Sequence, residues 1–452
     1  MENHMIGAAP TFRAARPPLG ASGLGPALLV TAVSALVPGL AHLRAGRVAA
    51  GRRLLVGSAV GGVLVCLTAS VAGPSLAEAA VSPSWLTVIV SGAVLAAVAW
   101  MWLVIASYAV VRPVAPAPVV RLLGAACVGL LCALVSAPPL AVAHYGDVQR
   151  DMIEGVFPDG QGPAPAPAPE DGAWKGPRRL NVLLLGGDAD VGRTGVRTDS
   201  VTVASVDTRD GSTILLSLPR NLQKVPVWNG GGRVAYPRKE LLNAVYEYGR
   251  AHPELTGGRR PGAELLKRTV SHVLGVPVHH YVLIDMRSFR RLVDALGGLR
   301  VCVPKPVPVP RRQVPAGVIR EGCRTLSGRE ALWYGRSRTG SSDYARMERQ
   351  KCLLWELSRQ ATPMKALRGF RKLAETFRES VHTDLPRRTL PGLVGLAGRV
   401  REAPVLSVQF TPPLITPGDP DYRLIRRTTA RLLRADGRGK VSAGHDLGRT
   451  CA

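Results

Sequence analysis

The sequence predicts an α/β domain, a central mixed β-sheet flanked by helices, preceded by an α-helical multi-span membrane region. Three observations carry that reading. The first 150 residues hold nine Arg, three acids and no Lys around long uncharged apolar stretches. Residues 158–177 alternate Pro and Ala. From Arg179 onward, short apolar runs alternate with segments of helical spacing. High apolar content (46%) and a formal charge of +26 therefore occupy different parts of the 452-residue chain. That composition excludes a disordered polybasic protein, and seven Cys are too sparse for a disulfide scaffold.

After a tail at residues 1–20, the membrane region is expected over 21–145 with three or four helices. Its apolar stretches are Gly25–Leu43, Leu54–Val71, Trp85–Val111 and Leu122–Val142. Each is long enough to cross roughly 30 Å of hydrocarbon. Arg44, Arg47, Arg52 and Arg53 follow the first stretch, and Arg112 and Arg121 follow the third. The positive-inside bias puts both connections in the cytoplasm and everything after Val142 outside. Pro38-Gly39 leaves the first stretch open to two readings, a full span or a re-entrant segment. The Pro/Ala-rich linker is expected over 146–177, as an extended polyproline spacer.

In the soluble half, strands are expected at Leu180–Leu185, Ser200–Asp207, Ser212–Leu218, His280–Asp285 and Leu299–Val303. Helices are expected at Glu240–Arg250, Gly262–Leu274, Phe289–Leu296 and Arg346–Gln360. The catalytic domain is placed at 178–360, and 361–452 reads as its basic C-terminal extension.

Chemistry-bearing residues cluster between these elements. Gly187 to Thr194 approaches the phosphate loop GxxxxGK[ST]. Arg193 replaces its Lys, however, and a strand follows where a helix is required. The acids Asp188, Asp190 and Asp199, beside Arg193 and Arg197, instead suit a hard cation shared with substrate phosphates. Arg220 ends a strand, and Arg336 and Arg338 share a face if Tyr334–Arg338 is extended. Arg346, Arg349 and Gln350 share a helix face at i, i+3, i+4. Converging guanidinium forks suit a diphosphate. Cys302 with Cys323 is expected to bridge the loop Pro304–Arg320, and Cys352 with Cys451 follows by elimination. His272, His279 and His280 match no metal spacing and read as structural.

An ordered set of motifs then carries a resemblance. It runs through Arg197-Thr-Asp199-Ser, Ser217-Leu-Pro-Arg220, Asn243-Ala-x-Tyr246-x-x-Gly249 and Tyr281-x-x-Ile-Asp285-x-x-x-Phe289. It continues with Leu292-Val-Asp294-Ala-Leu-Gly297-Gly298, Leu326-Ser-Gly328 to Tyr334-x-Arg336-x-Arg338, and Asp343-x-x-Arg346-x-x-Arg349-Gln350. From Asn181 to Leu357 the chain resembles the LytR-CpsA-Psr family of cell-wall glycopolymer transferases, and its Arg-rich, Lys-poor usage resembles actinobacterial members. The resemblance implies an enzyme that moves a glycopolymer from a polyprenyl-pyrophosphate donor to a peptidoglycan acceptor by a phosphodiester bond, releasing polyprenyl phosphate. It implies Mg²⁺ or Mn²⁺ on Asp188 and Asp199. Arg193, Arg197, Arg220, Arg336, Arg338, Arg346, Arg349 and Gln350 would lie around the pyrophosphate, Arg193 in place of the Arg missing after Asp188. Asp199, Arg197, Arg220 and Arg338 would be catalytic. Asn221 stands where the family's motif usually ends in Asp. The resemblance also implies an apolar tunnel for the prenyl chain.

The expected location is the cell membrane, multi-pass, with the C-terminal domain extracytoplasmic and in contact with membrane lipid. That topology, and the lack of aromatics interleaved with the basic residues, leaves no role for nucleic acid. The alternative from another class is a non-catalytic membrane sensor or scaffold that binds lipid pyrophosphate or anionic wall polymer.

Overall fold

The computed structural model describes residues 23–71, 80–114, 116–158, 178–187, 198–237, 239–257, 260–361, 381–434 and 444–451. The chain divides into two compact units, 1–76 with 84–147, and 77–83 with 148–452.

The first unit is helical: α1 (Leu24–Leu36), α2 (Leu40–Arg44), α3 (Val48–Val71) and α4 (Pro83–Val111), followed by α5 (Pro118–Val156), which continues into the second unit. The stretch Gly25–Leu43 is broken between α1 and α2, where Gly39 adopts φ +99°. A Cβ at Gly39 would collide with the carbonyl of Gly51, so only glycine allows the turn and the close approach to α3. Helices α4 and α5 are both long and apolar enough to cross a membrane. Their large apolar side chains point outward, with Leu95 68% and Leu130 73% exposed. Such a surface is stable against lipid rather than water. Two polar contacts join this unit's helices, Ser34 Oγ to Ser107 Oγ at 3.1 Å and Trp100 Nε1 donating to the Ala35 carbonyl at 3.0 Å.

The second unit is built on a mixed sheet of β1 (Arg179–Gly187), β2 (Thr198–Asp207), β3 (Thr213–Leu218), β4 (His280–Asp285), β9 (Val381–Thr383), β10 (Val405–Gln409) and β11 (Gly444–Asp446). Its order is β11-β10-β3-β2-β1-β4-β9. The hairpin neighbours β1–β2 and β2–β3 are antiparallel, while β1–β4 and β3–β10 are parallel. Short strands β5 (Leu299–Val303) and β8 (Gly322–Leu326) pair beside it, as do β6 (Val307–Pro308) and β7 (Val318–Ile319).

Helices cover both faces, which is why the strands read as nearly unbroken apolar runs. Leu183, Leu185, Val203, Leu216 and Leu218 pack beneath α6 (Val245–Ala251), α7 (Pro261–Leu274) and α12 (Tyr422–Arg434), through Val245, Leu265, Leu266 and Ile425. The opposite face meets α8 (Met286–Ala295), α9 (Gly328–Arg336), α10 (Asp343–Gln360) and α11 (Leu390–Glu402), and a final short helix α13 is Leu447–Thr450. Leu396 of α11 packs on Leu180 and Val206.

Four expectations change. Residues 146–156 are helix rather than spacer, because Ile153 and Val156 are buried and Arg387 donates to the terminal carbonyls of Glu154 (2.8 Å) and Phe157 (2.7 Å). The C-terminal extension is part of the sheet itself: β10 pairs with Thr213–Ser217 of β3, and Val408 and Phe410 are fully buried. The helix expected from Phe289 starts at Met286, capped by Asp285. The run Tyr334–Arg338 is not extended, because a capping box between Ser327 and Glu330 starts α9, which persists to Arg336. Arg336 and Arg338 therefore do not share a face by strand alternation.

Disulfides join Cys302 to Cys323, directly opposite on β5 and β8, and Cys352 to Cys451. The histidines are structural: His272 stacks on Trp228, and His279 Nδ1 accepts from the Asn181 amide at 3.0 Å.

Candidate active site

The site forms where β1 and β2 meet at Gly187 and Thr198, and it follows from strand register. In the β2–β3 hairpin Val201 stands opposite Leu218. Continuing that antiparallel ladder two residues places Asp199 opposite Arg220, and their side chains form an ion pair at 2.5 Å (Arg220 Nη1 to Asp199 Oδ1). Arg220 also reaches Asp343 Oδ1 at 3.5 Å. Asp343 is the first residue of α10, after the N-cap Ser342, where the helix dipole favours a carboxylate.

One turn along α10, Arg346 is 2% exposed and donates from Nη2 to Asp343 Oδ2 at 3.0 Å and to the Asp199 carbonyl at 3.3 Å. Burial pushes its pKa below the ordinary arginine value; the nearby cations Arg220 and Arg338 add to this, and Asp343 and Asp199 oppose it. Arg338, mostly exposed, lies 4.0 Å from Asp343 Oδ1. Two buried polar atoms here have no hydrogen-bond partner, Arg346 Nε and Asp343 Oδ1. Unsatisfied buried groups cost free energy, and both are poised for a ligand.

Beside these charges opens an apolar pocket of about 170 Å³ lined by Leu184, Val282, Ile284, Phe289, Leu332 and Leu354. Asp199, Arg336, Arg346 and Gln350 also line it. Gly335 keeps α9 against α10 there, since a Cβ would meet Leu353 at 2.8 Å. An elongated apolar chain with an anionic head matches this combination of an apolar slot and guanidinium groups.

Asp199, Arg220, Arg338 and Arg346 are thus brought together around Asp343, and Arg336 and Gln350 line the adjoining pocket. Arg349 is turned elsewhere: it donates to the carbonyls of Tyr334 (2.8 Å) and Ser337, fixing the end of α9. Gln350 likewise donates to the Gly335 carbonyl at 3.0 Å. Asn221 is exposed and lines neither the pocket nor the ion-pair cluster. Asp188, Arg193 and Arg197 lie outside the described residues.

For a hard cation, the described oxygen ligands are Asp199, with Oδ1 held by Arg220, and Asp343 Oδ1, which lacks a hydrogen bond but lies 3.5 Å from Arg220. Among the described residues no group of three or more His, Cys, Asp or Glu gathers to hold such an ion. Asp343 was absent from the sequence-derived site, although its position three residues before Arg346, just after a Ser N-cap, is legible in the sequence.

Residues 168–411 match the LytR_cpsA_psr family. Relatives include the polyisoprenyl-teichoic acid--peptidoglycan teichoic acid transferase TagU of Enterococcus faecalis, 30% identical over 211 residues, 46% of this chain and 61% of TagU. The probable cell wall biosynthesis protein LcpB of Corynebacterium glutamicum is 33% identical over 192 residues, 42% of this chain and 39% of LcpB. The alignments thus span about three fifths or less of these relatives' length. Among solved structures, Bacillus subtilis TagV is similar at 24% identity with a TM-score of 0.43, covering 57% of this chain and 98% of TagV. Because the family match spans more than half of the 452 residues, this chain belongs to the LytR_cpsA_psr family.

Proposed function

We propose that this chain is a membrane-anchored phosphotransferase. It would attach a polyprenyl-pyrophosphate-linked glycopolymer to peptidoglycan through a phosphodiester bond and release polyprenyl phosphate. One observation carries the reading: an apolar pocket opens directly onto buried Arg346, whose Nε lacks a partner. The relatives' names, among them a teichoic acid transferase, support the same class of reaction. Helices α4 and α5 serve as the anchor, within the three or four spans expected, and the catalytic domain is extracytoplasmic.

In this mechanism the apolar side chains Leu184, Val282, Ile284 and Phe289 hold the prenyl chain out of water. Arg346 and Arg220, fixed by Asp343 and Asp199, hold the pyrophosphate oxygens, with Arg336 and Arg338 at the rim. The acceptor hydroxyl attacks the phosphorus that bears the glycopolymer. The new oxygen–phosphorus bond forms as the bond to the bridging oxygen breaks. Polyprenyl phosphate departs, and the hydroxyl's proton is released with it. Charge builds on the bridging oxygen, so cations fixed beforehand lower the barrier without reorganising. Asp199, with Asp188, would hold Mg²⁺ or Mn²⁺, which supplies further neutralisation of the phosphate charge when bound. Arg349 is a positioning residue that fixes α9.

The test is transfer of a radiolabelled polyprenyl-pyrophosphate glycan to peptidoglycan by the purified full chain with Mg²⁺. Metal-dependent transfer that is lost in Arg346→Ala and Asp199→Ala supports the enzyme. Tight lipid-pyrophosphate binding without transfer, across several donors, would replace it with the sensor reading.

A further inference from the structure

A second basic pocket lies beside the proposed catalytic one. It has a volume of about 370 Å³ and is lined by Met286, Arg287, Arg290, Arg291, Gln313, Leu332, Trp333 and Arg336. Four guanidinium groups converge there, and no carboxylate is among the lining residues. Among the described residues neither Arg287 nor Arg290 has an ion-pair partner. The cluster arises from sequence by helical geometry: Arg287, Arg290 and Arg291 stand at i, i+3 and i+4 on α8. Arg336, at the end of α9, stacks over Trp333 at 5.3 Å from the ring centroid.

The like charges of Arg287 and Arg290 repel one another, and an oxyanion relieves that repulsion with bidentate hydrogen bonds. The opening is shared with the apolar pocket through Met286, Leu332 and Arg336. We propose that this pocket is a subsite for the anionic backbone of the donor polymer, taking a phosphodiester of the chain on Arg287 and Arg290. Trp333 and Gln313 offer the ring face and amide that suit the attached sugar or polyol. The inference rests on the transferase reading for the identity of the occupant. Arg336 lines both this pocket and the one beside Arg346, so a polymer on a pyrophosphate at Arg346 has this basic pocket next to it. An anionic lipid headgroup has the same phosphodiester chemistry, and the test separates the two sources.

The experiment uses the full chain in phosphatidylcholine nanodiscs, a short glycerol-phosphate oligomer as probe, and geranyl pyrophosphate as a second probe for the catalytic pocket. Arg287→Gln/Arg290→Gln should raise the Kd for the oligomer about tenfold or more while leaving geranyl pyrophosphate binding unchanged. Arg423→Gln/Arg431→Gln removes the same charge from exposed positions on α12 and should leave oligomer binding within about twofold. Equal weakening by both double variants would reduce the pocket to diffuse charge and overturn the proposal. So would an unchanged Kd in the pocket variant, or an effect confined to phosphatidylglycerol vesicles. If the wild type binds the oligomer through this pocket yet never transfers a glycan, the transferase reading falls while the subsite stands.

Discussion

The two arginine groups of the second unit are built on opposite electrostatic terms. Around Asp343, Arg220 and Arg346 are paired with carboxylates and withdrawn from water, with Arg338 at the edge. Around Arg336, the guanidiniums of Arg287 and Arg290 are exposed and face a pocket without a lining carboxylate. Pairing permits burial, because an ion taken out of water needs its Coulomb partner close by. Exposure tolerates an unpaired cluster, because water and salt screen it. The first arrangement fixes atoms to within a hydrogen bond, as positioning at a reacting phosphate requires. The second holds charge in a looser form, suited to a chain that must slide through.

The sharpest way to break this comparison is to remove one partner from each group. Arg346→Met should leave Asp343 with Arg220 and Arg338 alone and cost about 1–3 kcal/mol of stability, with glycan transfer abolished. Chemical denaturation and the transfer assay check it. Arg287→Met should change stability by less than about 0.5 kcal/mol. Equal losses would end the distinction.

Lys351 supplies a third case, a cation that is buried and, among the described residues, without a salt bridge. It is 3% exposed, and burial pulls its pKa down to about 7, opposed weakly by Glu348. Below pH 7 both folded and unfolded chains carry the proton, and the penalty of burying the charge is complete. Between pH 7 and the unfolded value of 10.5 the unfolded chain alone keeps the proton, so stability rises with pH across that window. Lys351→Met should therefore stabilise the protein by a few kcal/mol, about 2–4, at pH 6.5, and by much less at pH 10. Thermal melts at the two pH values decide it, and a pH-independent gain would remove the electrostatic explanation.

Screening gives a smaller test. Raising phosphate to saturate the Arg287–Arg290 pocket should lift the Tm of the wild type by about 1–3 °C, and Arg287→Gln/Arg290→Gln should abolish that increment. An undiminished increment in the variant would place the anion elsewhere.

Much of the site could be read before the fold was known. Asp199 and Arg220 were identifiable from their motifs, and the hairpin register alone brings them face to face. Arg346 and Gln350 were legible from helical spacing. Arg349 has the same spacing, yet its guanidinium holds carbonyls of α9, because the end of a neighbouring helix is nearer than the pocket. The segment after Ala361 was the least legible. Its strands β9, β10 and β11 are three to five residues long and carry no local periodicity, yet they complete the sheet at both edges.

The sequence by itself determined the apolar stretches of the first unit, the strand–helix alternation, the disulfide between Cys302 and Cys323, and the arginines and acids available for phosphate chemistry. These depend on composition, periodicity and neighbours within a hairpin or a helical turn. Tertiary structure decided which arginines face a ligand and which brace backbone. It also made Asp343 the hub of three cations and set Arg287 and Arg290 beside Arg336. Those outcomes depend on distances between residues far apart in the chain, and only packing of one element on another sets such distances.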